Sequence, residues 1–66
     1  MEENMYRKNI RQGSMVKIVL KKNQKTGELT TGRVGRILTN RKVHTRGIKV
    51  MLTDGQVGRV QEILEE

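Results

Sequence analysis

The chain has 66 residues, with 14 Lys/Arg against 7 Asp/Glu, a single Tyr, and no Phe, Trp, Cys or Pro. A chain this short forms one domain and buries only about 60% of the surface that its unfolded form exposes. The lack of cysteine excludes disulfides and thiolate metal sites and fits a reducing cytoplasmic setting; residues 1–14 hold no apolar run, so no signal peptide is expected, and no stretch approaches the roughly 20 apolar residues of a membrane span.

Residues 1–12 are polar, with Met5, Tyr6 and Ile10 as the only anchors, and read as a loose arm or one ordered only on binding. Ile10 is expected to be its first anchored residue. The single domain is expected over residues 13–66. MVKIVL at 15–20 alternates Val16, Ile18 and Leu20 on one face and predicts a strand. KKNQKTGE at 21–28 is polar, contains Gly27 and reads as a loop. LTTGRVGRIL at 29–38 is rich in Thr and branched aliphatics and predicts a second strand. TNRKVHTR at 39–46 breaks the pattern and reads as a connection. GIKVMLT at 47–53 predicts a third strand with Ile48, Val50 and Leu52 inward. Asp54-Gly55 is a two-residue hairpin signal, and QVGRV at 56–60 starts a fourth strand. The closing QEILEE reads as one helical turn or a last short strand.

The two halves repeat. VKIVL at 16–20 matches IKVML at 48–52, and GRVGRI at 32–37 matches GQVGRV at 55–60. Each half is therefore a hairpin of the same two strands. Val34 and Ile37, like Val57 and Val60, stand three apart, and strict alternation would put each pair on opposite faces. A bulge at Gly35 and another at Gly58 would turn both members inward and bend the strand. Two bent hairpins closing on each other make a small barrel. Its expected core is Val16, Ile18, Leu20, Val34, Ile37, Ile48, Val50, Leu52, Val57 and Val60.

The pattern Gly13-x-x-Val16-x-Ile18, Gly27 and GRVGRI at 32–37 resembles the KOW motif, which implies an SH3-like barrel. Over most of residues 13–63 the chain is similar to the YwbE-like family of small uncharacterised bacterial proteins, through IVLKKNQKTGELTTG (18–32), ILTN (37–40), GIKV (47–50) and DGQVGRVQEI (54–63). One departure is Thr45, where the resemblance implies a proline after His44. Together these readings give an all-β fold: a small SH3-like, KOW-type barrel of two bent hairpins with a flexible N-terminal arm. The family implies no activity, so function must be argued from the site.

Charge is the strongest bulk signal. Residues 4–59 carry all 14 bases and only Glu28 and Asp54 as acids, a net +12, while the other five acids sit in the tails. So basic a body attracts polyanions. Lys21, Lys22 and Lys25 cluster at the first hairpin tip beside Asn23, Gln24 and Thr26, the residue types that contact phosphate and sugar. Arg41, Lys42, His44 and Arg46 fall within six residues with no acid near, and arginine forks onto phosphate or a guanine edge. Arg33 and Arg36 add positive charge to the outer strand surface, as do Lys17, Lys49 and Arg59. Any one of these also serves as an ordinary solubilising charge.

Much chemistry is excluded. His44 is the only histidine, so there is no His pair for a metal and no Cys–His relay. No paired carboxylates stand ready for acid–base work, and no GxxxxGK[ST] or GxGxxG string occurs. No enzyme activity, metal or cofactor is expected. With Tyr6 as the only aromatic, readers of single strands that stack several bases are disfavoured. The expected function is binding of structured RNA, alone or in a ribosome or other ribonucleoprotein, with DNA as a variant. The nine expected contacts are Lys21, Lys22, Lys25, Arg33, Arg36, Arg41, Lys42, His44 and Arg46. The rival is a protein-interaction module for an acidic partner or a second copy, with Met15, Val19 and Met51 as an outer apolar patch.

Overall fold

The structure is a computed structural model and describes residues 3–65. Four strands form: β1 (Met15–Leu20), β2 (Leu29–Ile37), β3 (Lys49–Leu52) and β4 (Val57–Glu65). All neighbours are antiparallel, and β1 pairs with both β2 and β4, closing an SH3-like barrel in the order β1-β2-β3-β4. The two hairpins β1–β2 and β3–β4 are joined by the β2–β3 and β1–β4 ladders, as the repeat predicts. Among the described residues there is no α-helix, and no helix is long and apolar enough to cross a membrane.

Alternation sets the core. Val16, Ile18, Val34, Ile48, Val50 and Val60 are fully buried, and Leu52 and Ile10 nearly so. Leu20, Ile37 and Ile63 pack half-buried against them. Each fully buried aliphatic side chain contributes roughly 1.5–3 kcal/mol relative to exposure. No buried side-chain polar atom among the described residues lacks a partner.

The expected bulge at Gly35 is present. Val34 lies opposite Leu52 and Arg36 opposite Met51, so Gly35 is the extra residue, and it brings both Val34 and Ile37 to the core. The expected bulge at Gly58 is absent: Met51, Val50 and Lys49 face Val57, Gly58 and Arg59 without a break. Val57 is therefore an outward residue, 36% exposed, and not part of the core. Gly58 points inward, where a Cβ would stand 2.5 Å from the Val19 carbonyl oxygen. It is a close-approach glycine between β1 and β4. The bulges of β4 lie further along, at Gln61 and Leu64, where its pairing with β1 shifts.

The second hairpin turn also differs from expectation. Leu52 N–H donates to the Gln56 carbonyl and Gly55 N–H to the Leu52 carbonyl, so the loop has three residues, Thr53, Asp54 and Gly55. A two-residue type I′ turn would need positive φ at Asp54, and no residue other than glycine has it, whereas Gly55 has φ +91°. The Asp54 carboxylate instead accepts from the Gln56 backbone N–H (3.1 Å) and side-chain amide (2.8 Å), which holds its pKa below the usual value. Of QEILEE, residues 61–65 are strand, since β4 runs on to Glu65, and Glu66 lies outside the described residues.

Of the arm expected over residues 1–12, Met1 and Glu2 lie outside the described residues, and residues 3–12 form two single 3₁₀ turns against the middle connection. Anchoring begins six residues before Ile10. Asn4 accepts from Ile48 N–H through its carbonyl and donates its side-chain amide to the Val60 carbonyl at 2.8 Å. Tyr6 bridges Val43, flanked by bonds from His44 N–H to the Met5 carbonyl and from Arg7 N–H to the Lys42 carbonyl. Arg7 Nε donates to the carbonyl of buried Thr39, whose Oγ1 accepts from Lys49 N–H at 2.7 Å. Connection and arm thus brace each other.

Candidate nucleic-acid interface

The register sorts the outward residues into rows around the barrel. One row is Thr31, Lys17 and Glu62, and the next is Arg33, Met15 and Glu65. Each contains an ion pair at 3.9 Å, Lys17–Glu62 and Arg33–Glu65. At the opposite end the row runs Leu29, Val19, Arg59, Lys49. Here two cations stand directly opposite each other on β4 and β3 with no acid. Like charges in that position destabilise a sheet. Among the described residues only Lys17 and Arg33 have a carboxylate within 4.0 Å, so the remaining cations are unneutralised.

Above this row lies a groove of about 500 Å³ between the first hairpin tip and the middle connection. It is lined by Val19, Gly27 and Leu29 together with the polar side chains of Gln24, Gln61, Arg46 and Arg59. Val19, Gln24 and Arg59 also line an adjoining hollow of about 390 Å³, which adds Lys21, Lys49 and Val57. The combined lining holds four cations, two amides and the apolar side chains of Val19, Leu29 and Val57, without a carboxylate. The connection is fixed to β4 at this point: Arg59 donates to the Gly47 carbonyl (3.3 Å) and Gln61 Nε2 to the Arg46 carbonyl (3.4 Å). Gly47 has φ +96°, and a Cβ there would collide with the Val60 carbonyl, so only glycine lets the connection lie this close to β4.

The residues picked from sequence are distributed as follows. Arg46 lines the groove and Lys21 the adjoining hollow, so the two basic loops border surfaces that share Val19, Gln24 and Arg59. Lys22 and Lys25 are exposed on the same tip but do not line it. His44 is half-buried, and its Nδ1 accepts from Arg46 N–H at 3.2 Å. Partial burial and then the charges of Arg59, Arg41 and Arg46 hold the His44 pKa below the ordinary histidine value. Arg41 therefore belongs to the same electrostatic cluster. Lys42 faces the other side of the connection. Arg33 sits at the paired end, donating to the Gly13 carbonyl at 2.9 Å. Arg36 is exposed on β2 opposite Met51. Lys17 and Lys49, equivalent in the repeat, are separated: one faces Glu62, the other the groove. Lys49 and Arg59 are the strongest additions to the expected set. Counting outward from the hairpin turn would have paired them, had the turn been given three residues.

A second concavity, of about 550 Å³, lies between the arm and the connection, lined by Tyr6, Arg7, Lys8, Asn40, Lys42 and Val43. The Lys8 ammonium stands 5.7 Å from the Tyr6 ring centroid, a cation–π contact worth about 0.5–1 kcal/mol at an exposed site. Among the described residues no three His, Cys, Asp or Glu side chains group as metal ligands. Nor do Met15, Val19 and Met51 form one apolar patch, because the register places them in separate rows beside Arg33, Arg59 and Arg36 respectively.

No solved structure matches the chain. It is 53% identical over 58 residues to the uncharacterized protein YwbE of Bacillus subtilis (strain 168), covering 88% of this chain and 89% of that one. The model of a family of uncharacterized conserved proteins, DUF2196, matches residues 3–63, and the chain belongs to that family.

Proposed function

We propose that this protein is a nucleic-acid-binding module that takes structured RNA in preference to DNA along the groove between residues 21–27 and Arg46, and catalyses no reaction. The observation that carries this reading is the opposed Lys49–Arg59 pair, with Arg46 lining the groove, Lys21 lining the adjoining hollow, and no carboxylate among the residues that line either. A fold gains nothing from such a cluster by itself; a polyanion on it converts the repulsion into attraction. Val19 and Leu29 stand in the same row beside Arg59 and add apolar surface next to the cations. Gln24 and Gln61 favour RNA. Amide side chains donate to and accept from a 2′-hydroxyl, and the wide, shallow minor groove of an A-form helix displays those hydroxyls.

The test is fluorescence anisotropy with a folded RNA hairpin, a single-stranded RNA, a DNA duplex and poly-glutamate, across a salt series. The expected result is tightest binding to the RNA hairpin, persisting at physiological salt. Equal affinity for all four polyanions, released near physiological salt, would refute the reading and point to an acidic protein partner or to charge alone.

A further inference from the structure

The concavity beside Tyr6 is separate from the groove, and its chemistry is different. We infer that it is a pocket for one unpaired nucleobase, so that the preferred ligand is an RNA duplex carrying a bulged or terminal unpaired nucleotide. This inference rests on the RNA-binding reading proposed above.

Tyr6 is the only aromatic side chain among Phe, Tyr and Trp in the chain, and its ring is half-buried, with the Val43 side chain beside it 36% exposed. Those two surfaces are of no use to a phosphate. Around them stand Lys8, Lys42 and Arg7, which are of no use to an aliphatic side chain, and Asn40, whose amide matches a base edge. A nucleotide uses all of them at once: the base stacks on the ring, the amide meets its edge, and the ammonium groups meet the flanking phosphates. No carboxylate lies within 4.0 Å of Lys8, Lys42 or Arg7 among the described residues. Lys8 rests over the Tyr6 ring at 5.7 Å, so this face already receives a cation; an incoming base displaces the ammonium from it and Lys8 moves to the adjacent phosphate.

The pocket is pre-formed. The Tyr6–Val43 bridge is held on both sides by His44 N–H to Met5 and Arg7 N–H to Lys42, and Arg7 is oriented by its 2.9 Å bond to the Thr39 carbonyl. A rigid platform spares the ordering cost that weakens binding by a loose arm. Val43 and Arg46 are three residues apart, which spans at most about 11 Å. An unpaired nucleotide leaving a duplex in the groove therefore has only the width of the connection to cross to reach Tyr6.

The experiment compares a short blunt RNA duplex with the same duplex bearing one bulged adenosine. Affinity is read by anisotropy, and contact by the NMR shifts of the Tyr6 ring protons. Expected are roughly tenfold tighter binding of the bulged RNA, an upfield shift of the Tyr6 ring protons with that RNA alone, loss of the advantage in Tyr6→Ala, and its retention in Tyr6→Phe. The ring-proton shift is read on the unaltered protein, so poor folding of Tyr6→Ala does not blunt the test. Equal affinity for both RNAs with no ring shift overturns this inference and leaves the groove reading intact. Failure of both RNAs to bind overturns both.

Discussion

Neutralising Arg46 and Arg59 together isolates the groove's electrostatics. Four cations line the combined surface, Lys21, Arg46, Lys49 and Arg59. If each meets one phosphate of a duplex, log K falls with log salt at a slope of about −3.6, which is about 150-fold weaker binding between about 50 and 200 mM salt. Arg46→Gln with Arg59→Gln leaves two contacts, a slope of about −1.8 and a loss of about 12-fold over the same range. The control is Lys17→Gln with Arg33→Gln at the end where Glu62 and Glu65 already neutralise the charge; its slope should stay near −3.6. Arg59 also holds the Gly47 carbonyl, a bond worth about 1 kcal/mol. Arg59→Lys separates the two roles, since it keeps the charge and the slope while losing the second arm of the guanidinium. Anisotropy titrations at several salt concentrations, with thermal melts of each variant, supply the data. If the groove pair and the control pair reduce the slope equally, binding is diffuse and the groove has no special part in it.

His44 and Gly58 give two further outcomes. Phosphate beside Arg41, Arg46 and Arg59 cancels the charges that depress the His44 pKa, so binding takes up a proton and RNA affinity should rise as pH falls through about 6.5. The free protein runs the other way: with the folded-state pKa lowered, the unfolded chain binds more protons, and the melting temperature should drop as pH falls through that value. His44→Asn should flatten both profiles. Gly58→Ala places a methyl 2.5 Å from the Val19 carbonyl and 3.0 Å from Ile18 Cδ1, forcing β1 and β4 apart. Urea denaturation should show a loss of about 1–3 kcal/mol. An unchanged midpoint would mean that the β1–β4 approach is looser than the structure has it.

The strands and the repeat were legible because the signal is local. Val16/Ile18, Val50/Leu52 and the inward position of Val34 follow from period-two alternation, which a single strand carries in its own residues. The Gly35 bulge was legible from the three-residue spacing of Val34 and Ile37. The same spacing misled at Val57 and Val60, because Val57 needs no burial: it lies outward beside Met51, and Gly58 fills the inward position between them. The turn at Asp54-Gly55 was one residue too short in the sequence reading. That single residue moves every cross-strand partner, so Lys49 facing Arg59, the pair at the heart of the groove, was not visible. Docking of residues 3–12 was not legible either. It depends on backbone bonds of Asn4, Met5 and Arg7 to a connection with no regular structure, and neither partner advertises such bonds by composition.

The position of the groove follows from how β4 closes the barrel. Ile18 faces Val60, and an unbroken ladder would then set Lys17 opposite Gln61 and Val16 opposite Glu62. Val16 points into the core, so that register would bring a carboxylate to the apolar interior, at a cost of several kcal/mol. The bulge at Gln61 removes the conflict. It brings Ile63 opposite Val16, where it packs against the core, and moves Glu62 outward to Lys17. The second bulge, at Leu64, places Glu65 opposite Met15 and beside Arg33. The released Gln61 reaches the Arg46 carbonyl and joins the lining of the groove. Burial of one isoleucine therefore fixes where the tail acids go. They neutralise the Lys17 and Arg33 rows and cannot reach the Lys49–Arg59 row, several residues away along the strand. The bare cationic surface is the part of the barrel that this closure leaves uncompensated, which is why the opposed Lys49–Arg59 pair, more than the total charge, argues for an external anion.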